Sequence, residues 1–438
     1  MKKIAVLGAG FGGLRAAIRI SKKLKALGLL GKYEAVLIDR NDHHTYTPLL
    51  YEVATTSKKT ADLCELHKIV AYKIIELIKH LPITFIRSEI KAIDFINGNI
   101  KLANNKDIAC DYAVLALGSE TNYFNIKGLK ENSLPLRTLF DAIKIRDTML
   151  NFIEDDKSEL DVVIGGGGAT GVEFASELKM WCGEFEKEYP QKCRLNITII
   201  EGAKTILPGF SPKIIGLVKK RLDTLGVRLM EEKTILAVGN NEVILEDGQE
   251  IKFDALVWAG GTKAPSILAD SPLKTETRGK IETLEKMECV LKTADLKMRP
   301  EAKLGAGVNV NPMFYAVGDN TCVHDPKTRK PVAGVARAAI DEADIASYNL
   351  IEEIKANEIK NYKAKTKTYS PRDYPYVIPV GGKFAVAKIG PIVISGFFGW
   401  IFKGLIELNY LASIMPVSKA VKVWLNGLKI FIQNDRLG

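Results

Sequence analysis

KKIAVLGAGFGGLRAA (residues 2–17) and DVVIGGGGATGVEFAS (161–176) state one pattern twice: an apolar run, a glycine-rich turn and the start of a helical periodicity. In the first, Ile4-Ala5-Val6-Leu7 reads as a parallel strand buried on both faces, and the spacing from Leu14 to about Lys25 reads as a helix. Between them lies G-x-G-x-x-G, with Gly8, Gly10 and Gly13 as its glycines. The first permits a tight turn, the second lets a pyrophosphate approach the backbone, and the third lets helix pack on strand. Free N–H groups of the helix start then aim at the phosphates. The next apolar strand, Ala35 to Ile38, ends in Asp39, whose carboxylate can accept hydrogen bonds from a ribose. The intervening KKLKALGLLGKY (22–33) makes this acid later than usual, as an extended helix and loop would.

The second statement has the same parts. Strand residues 160–164 lead to Gly166, Gly168 and Gly171, then to a helix carrying Glu173, then to strand 196–200 and its terminal Glu201. The repetition continues, since DYAVLALG (111–118) is echoed by DALVWAGG (254–261), each a strand delivering the chain to a glycine. Two modules repeated in order predict an α/β chain with two Rossmann-like dinucleotide-binding domains. A third strand, MFYAVGDN (313–320), ends in Gly318-Asp319, where an aspartate can hold a polyol chain and a helix start from about Pro331 can meet a ring or phosphate.

Composition supports this class and removes others. At 438 residues with 47% hydrophobic content, the chain predicts two or three domains with cores of their own. The six cysteines show no C-x-x-C pairing, which suits a reducing compartment and buried thiols better than a disulfide framework. His43 and His44 have no further ligands nearby in sequence, so no metal is expected. No stretch reaches the roughly 18 apolar residues of a membrane-crossing helix. A net charge of +10 suits anionic partners, but without zinc spacing, RNP-like strands or a helix-turn-helix pattern, nucleic acid is not expected.

DRNDHHTYTPLLYEVAT (39–55), LGSETNYFNIKG (117–128), GGGATGVEFASEL (166–178), LPGFSP (207–212) and WAGGTKAP (258–265) together resemble the type II NADH:quinone oxidoreductases, flavoproteins with two dinucleotide-binding domains. The resemblance runs nearly end to end. It implies an FAD domain from 1–120 and 295–360, an NADH domain from 121–294, and a carboxyl-terminal part from 361–438 that attaches to membrane. FAD would be held by Gly8, Gly10, Gly13, Asp39, Arg40, Gly118, Gly318, Asp319 and Ala336, with Thr47 and Pro48 beside its isoalloxazine. NADH would be held by Gly166, Gly168, Gly171, Glu201 and Gly260. A carboxylate at 201 favours a ribose 2′-OH over a 2′-phosphate and hence NADH over NADPH. Glu173, in the first turn of its helix, reads either as a helix-dipole partner or, as the family implies, as a group for positioning or proton supply.

The resemblance has one departure. Where the family carries A-Q-x-A-x-Q, this chain reads Ala336-Arg337-Ala338-Ala339-Ile340-Asp341. Arg337 and Asp341 either tune the flavin electrostatically or form a helix-surface ion pair. Cys322, close after Asp319, keeps a sulfide:quinone oxidoreductase-like enzyme as an alternative, and a non-catalytic membrane-bound NADH/FAD sensor is another.

From residue 380 the pattern changes to a strand pair turning near Gly390-Pro391, then two helices separated by Pro416. Val417, Ala420, Val421, Trp424, Leu425, Leu428, Phe431 and Ile432 form one apolar stripe. It reads either as a core face or, with Trp400, Trp424 and an excess of lysines, as an amphipathic helix for an anionic membrane surface, residues 397–433. The expectation is a peripheral, monotopic protein on the cytoplasmic face of the cell membrane, reducing a membrane quinone. A homodimer is left open.

Overall fold

The computed structural model describes residues 1–63, 66–154, 159–188, 194–292, 304–305 and 308–433. The elements that position the sites are, in chain order, β1 (Lys2–Leu7), α1 (Phe11–Ala26), β2 (Tyr33–Asp39), α2 (Leu50–Ala54), α3 (Leu66–Val70), β3 (Ile83–Arg87) and β4 (Tyr112–Leu115). They continue with β5 (Glu159–Gly165), α4 (Ala169–Glu188), β6 (Arg194–Ile200), β7 (Val227–Met230), β8 (Ala255–Trp258), β9 (Glu288–Val290), β10 (Val308–Ala316) and α5 (Ala336–Glu358). Last come β11 (Tyr376–Pro379), β12 (Ala385–Ile389), β13 (Ile392–Gly396), α6 (Phe397–Ile414) and α7 (Val417–Gln433).

The chain forms two compact units. The first comprises Met1–His44, Tyr72–Glu120 and Thr262–Arg372. Its sheet runs β9-β10-β4-β1-β2-β3, parallel throughout except where β9 meets β10. Ile4 pairs with Ala35 on one side and Tyr112 on the other, so β1 is central and its four apolar residues are buried. Helix α1 buries Leu14, Ala17, Ile18 and Leu24 and leaves Lys22, Lys23 and Lys25 in solvent, which is why its 3.6-residue period was readable.

The second unit comprises Thr45–Ala71, Thr121–Gly261 and Asp373–Gly438. A parallel sheet orders Leu134–Pro135, β8, β5, β6 and β7, with Val162 of β5 opposite both Ile197 and Ala255. Beside it, β11, β12 and β13 make an antiparallel sheet of three strands, one more than the pair read from sequence.

These units differ from the sequence boundaries. Residues 262–292 join the first unit because β9 pairs with β10, while 45–71 and the carboxyl-terminal helices join the second. The expected boundary at 294–295 lies outside the described residues. Helix α5 begins at Ala336, not near Pro331, because Val335 is still extended (φ −125°, ψ 152°). Among the described residues, no helix is long and apolar enough to cross a membrane. Cys110, Cys289 and Cys322 are free and buried, whereas Cys182 is disulfide-bonded, which spacing alone did not foretell.

Within the first unit, α1 and α5 are joined by charge. Asp344 accepts from Arg15 Nε at 2.7 Å and Nη2 at 2.8 Å, and from Arg19 Nε at 2.9 Å. Burial alone would raise its pKa, but these bonds outweigh burial and hold the carboxyl below the usual carboxylate range. A depressed folded-state pKa adds stability above the unfolded value that is lost as pH falls through the folded one. Asp344→Asn is therefore expected to cost about 1 kcal/mol at pH 7, and less below about pH 4, in urea melts at the two pH values.

Candidate functional site: two nucleotide cradles and a buried charge cluster

The two glycine turns are built alike, residue by residue. Gly8 and Gly166 both have positive φ (102° and 108°) and both donate to the carbonyl at the end of the neighbouring strand, Ile38 or Ile200, at 2.8 Å. A Cβ on Gly13 would sit 1.8 Å from Gly8 O, and one on Gly171 would sit 2.0 Å from Gly166 O. Helix start and strand end are in direct backbone contact, and any side chain there would separate them. Gly10 and Gly168 differ from these: a Cβ on either meets nothing within 4 Å. The open face in front of the second glycine is the space a pyrophosphate requires, so both cradles fit a dinucleotide.

Each cradle is closed by the acid read from sequence. Asp39 Oδ2 accepts from Ala9 N at 2.6 Å and its Oδ1 from Asn41 N at 2.8 Å. Glu201 repeats this with Gly167 N at 2.7 Å and Ala203 N at 2.8 Å. The carboxylates thus brace the turns, and each oxygen keeps lone-pair capacity for a ribose hydroxyl. In the first unit His44, which the family resemblance puts near the loop of the FAD domain, is fully buried and its Nδ1 donates to Ala9 O at 2.8 Å. Burial pushes its pKa down to about 4, so the ring is neutral and fixes the middle of the turn.

Around Gly318-Asp319, Ser119 Oγ donates to Asp319 Oδ2 at 3.1 Å and Gly118 N donates to Asn320 Oδ1 at 3.3 Å. Glu342, one residue past Asp341 and not singled out from sequence, accepts from Gly318 N at 2.7 Å. Burial, helped by the neighbouring Asp319 charge, pushes the Glu342 carboxyl up to about 7 although the Gly318 bond opposes this. Ala336 opens α5, Arg337 follows it half-exposed, and the predicted ion pair forms, Arg337 Nη2 lying 3.0 Å from Asp341 Oδ1. Arg40 is exposed beside Asp39. All these residues belong to the first unit.

Thr47 and Pro48 lie in the second unit, exposed on a short 3-10 turn that leads into α2. Gly260 follows β8 and packs on Gly166 and on the Trp258 ring. Glu173 is the fifth residue of α4, not in its first turn, so the helix-dipole reading weakens. Its carboxyl is pushed up to about 8 by burial, with Lys403 opposing and Glu52 adding to the rise.

Lys403 is one of the lysines of segment 397–433, whose excess of lysines reads in sequence as suited to a membrane surface. It is instead buried in an ion pair with Glu52, whose Oε1 also accepts from Tyr51 Oη at 3.0 Å. Burial alone would lower the lysine's pKa, but Glu52 and Glu407 raise it above the usual value. Trp400 and Trp424, read as interfacial anchors, line a partly open pocket of about 140 Å³ with Leu49, Ile69, Ile401 and Leu428. Among the described residues of this region, the large apolar groups in solvent are Ile392, Phe397, Phe398, Ile401, Leu405, Val417 and Leu425. The α7 stripe is therefore split, with Ala420 buried and Val417 and Leu425 exposed; the side chains of Phe431 and Ile432 lie outside the described residues. Among the described residues, no cluster of His, Cys, Asp or Glu could hold a metal ion.

Residues 2–295 match the pyridine nucleotide-disulphide oxidoreductase family. The chain is 30% identical over 302 residues to demethylphylloquinone reductase NdbB of Synechocystis sp., covering 66% of this chain and 69% of that protein. It is 27% identical over 295 residues to the type II NADH:quinone oxidoreductase of Staphylococcus saprophyticus, covering 64% and 70%. Its fold matches the structure of NDH2 from Plasmodium falciparum in complex with NADH, with TM-score 0.79 at 18% identity, over 99% of this chain and 98% of that one.

The glycine geometry separates binding from folding. Gly10→Ala is expected to retain the melting temperature but weaken flavin retention at least about tenfold, whereas Gly13→Ala is expected to lower the melting temperature by several degrees. Thermal melts and flavin fluorescence of the two variants check this.

Proposed function

The chain belongs to the pyridine nucleotide-disulphide oxidoreductase family, and we propose that it is an FAD-dependent type II NADH:quinone oxidoreductase that does not pump protons. The observation that carries this reading is the doubled cradle, with two open second glycines and two strand-end carboxylates. Bound FAD would supply the two-electron chemistry that amino acid side chains lack. The net reaction takes up one proton: NADH, H⁺ and quinone give NAD⁺ and quinol.

The chain's own residues bind, select and handle that proton. Gly8, Gly10, Gly13, Asp39 and the Gly318-Asp319 turn hold FAD, with Glu342 and His44 keeping the two turns in shape. Gly166, Gly168 and Gly171 hold NADH, and Glu201 repels the 2′-phosphate of NADPH. Glu173 keeps its proton near neutral pH and can give it up at its carboxyl. The Arg337–Asp341 pair sits at the start of α5, where half-exposure favours a modest electrostatic role. A sulfide enzyme is disfavoured because Cys322 is buried and burial pushes its thiol pKa up, away from the thiolate that sulfur chemistry needs.

Attachment is peripheral, on the cytoplasmic face where NADH is made available. The exposed Phe397 and Phe398, with Lys419, Lys422 and Lys429 in solvent on α7, suit an anionic lipid surface.

Under anaerobic conditions NADH should bleach the oxidised-flavin band, NADPH should not, and a quinone should restore it; bleaching by sulfide but not NADH would overturn the reading. Phe397→Ser combined with Phe398→Ser, both on exposed positions, should cut binding to anionic liposomes at least about tenfold in co-sedimentation. Unchanged sedimentation would remove this surface from the attachment.

A further inference from the structure

The Gly318-Asp319 turn is flanked by a short strand that no sequence motif marks. Ile281 and Glu282 pair in parallel with Thr321 and Cys322, and Thr321 Oγ1 donates to Ile281 O at 3.2 Å. That register sets Lys280, the residue before Ile281, beside the turn. Its backbone is locked from the other side too: Lys280 N donates to Glu276 Oε1 at 3.1 Å, and Glu276 N donates to Lys280 O at 2.9 Å. Gly279, with φ 75°, makes the bend between them.

The side chain of Lys280 has no such engagement. A Cβ built on Gly334 would lie 3.0 Å from Asp319 Oδ1 and 3.7 Å from Lys280 Nζ, so carboxylate and ammonium approach one point just ahead of α5. Gly334 is exposed, and a side chain there would crowd the gap between the two charges. Among the described residues, the Lys280 ammonium makes no ion pair and no hydrogen bond. Its neighbours are committed elsewhere: Arg337 lies 3.0 Å from Asp341, and Lys274 lies 2.8 Å from Glu282.

The turn has a use for a spare cation. Asp319 stands on it, and buried Glu342 accepts from Gly318 N, so two carboxyls meet there. An acid placed to hold a polyol by hydrogen bonds also repels the phosphates of the same ligand, at a range where charges act strongly. A lysine is suited to offset this, because its compact charge sits on a flexible stem and forms short charge-assisted bonds to oxyanions.

We propose that Lys280 is a cofactor-binding residue whose ammonium contacts an anionic group of FAD and offsets the charge of Asp319 and Glu342. The proposal rests on the reading of the Gly318-Asp319 turn as an FAD contact. The anionic group is either the pyrophosphate or the ring of the reduced flavin. No bond is made or broken by Lys280; it acts by charge alone.

The test uses the full-length flavin-loaded protein, diluted so that released FAD is followed by its fluorescence. Lys280→Met is expected to raise the Kd for FAD at least about tenfold, and Lys280→Arg to stay within about threefold of wild type. Between about 20 and about 500 mM NaCl, the wild-type Kd should rise more steeply than that of Lys280→Met, because salt screens a charge contact and not a packing contact. A pyrophosphate contact weakens oxidised and reduced FAD alike and leaves the midpoint potential unchanged. A ring contact weakens reduced FAD further and lowers the potential by about 30 mV for each tenfold difference. Lys280→Met with wild-type Kd and potential overturns the proposal, as does a loss shared by Lys280→Arg or one with the wild-type salt dependence. Should Lys280→Met yield no folded protein, Lys280→Gln carries the same expectations. A wild-type protein that takes up no flavin would instead sink the FAD reading beneath the proposal.

Discussion

The contact between the third and first glycines of each fingerprint, Gly13 on Gly8 and Gly171 on Gly166, decides what the rest of the chain can do. It brings a helix start against a strand end with no side chain between, which sets the N-terminus of the helix, with its dipole, at the turn. The strand-end acid then reaches back to the same turn, and the second glycine leaves the front clear. Remove the contact and the carboxylate, the open face and the helix start lose their common geometry together.

Elsewhere the molecule spends its polar groups on holding these turns. His44 stays neutral because it is buried, and a neutral ring donates to one carbonyl only, Ala9 O. Glu342 gives up solvent to accept from Gly318 N, at a cost reflected in its raised pKa. In the second unit the polar residues are arranged differently: Glu52, Glu177 and Glu407 lie around Lys403, and burial pushes the Glu173 and Glu407 carboxyls up. The same physics, desolvation of a carboxyl, raises the pKa of buried acids in both units, and in the first the Gly318 hydrogen bond offsets part of it.

Much of this was legible in sequence because it depends on period and on glycine. Buried parallel strands announce themselves as apolar runs, α1 by its exposed lysines, and both cradles by spacing that only glycine can satisfy. The strand-end acids followed from position. What could not be read depends on tertiary direction. Trp400 and Trp424 turn inward, which no helical wheel distinguishes from an interfacial anchor, and Lys403 is lost to Glu52, 351 positions away. A signal did exist: Lys403 and Glu407, four apart in the otherwise apolar FFGWIFKGLIELNYL, are costly unless paired, which argues for an interior partner. Glu342 was hidden beside the more conspicuous Arg337 and Asp341, and the placement of 45–71 and 262–292 follows strand and helix partners far away in sequence.

The two phosphate cradles share one backbone, so a chain that must tell two dinucleotides apart cannot do so at the phosphates. Their acids differ by a single methylene, Asp39 against Glu201, yet each accepts the same pair of bonds, one from its glycine turn and one from the N–H two residues along its own loop. The likeness of the two turns therefore extends through their acids as well as their glycines.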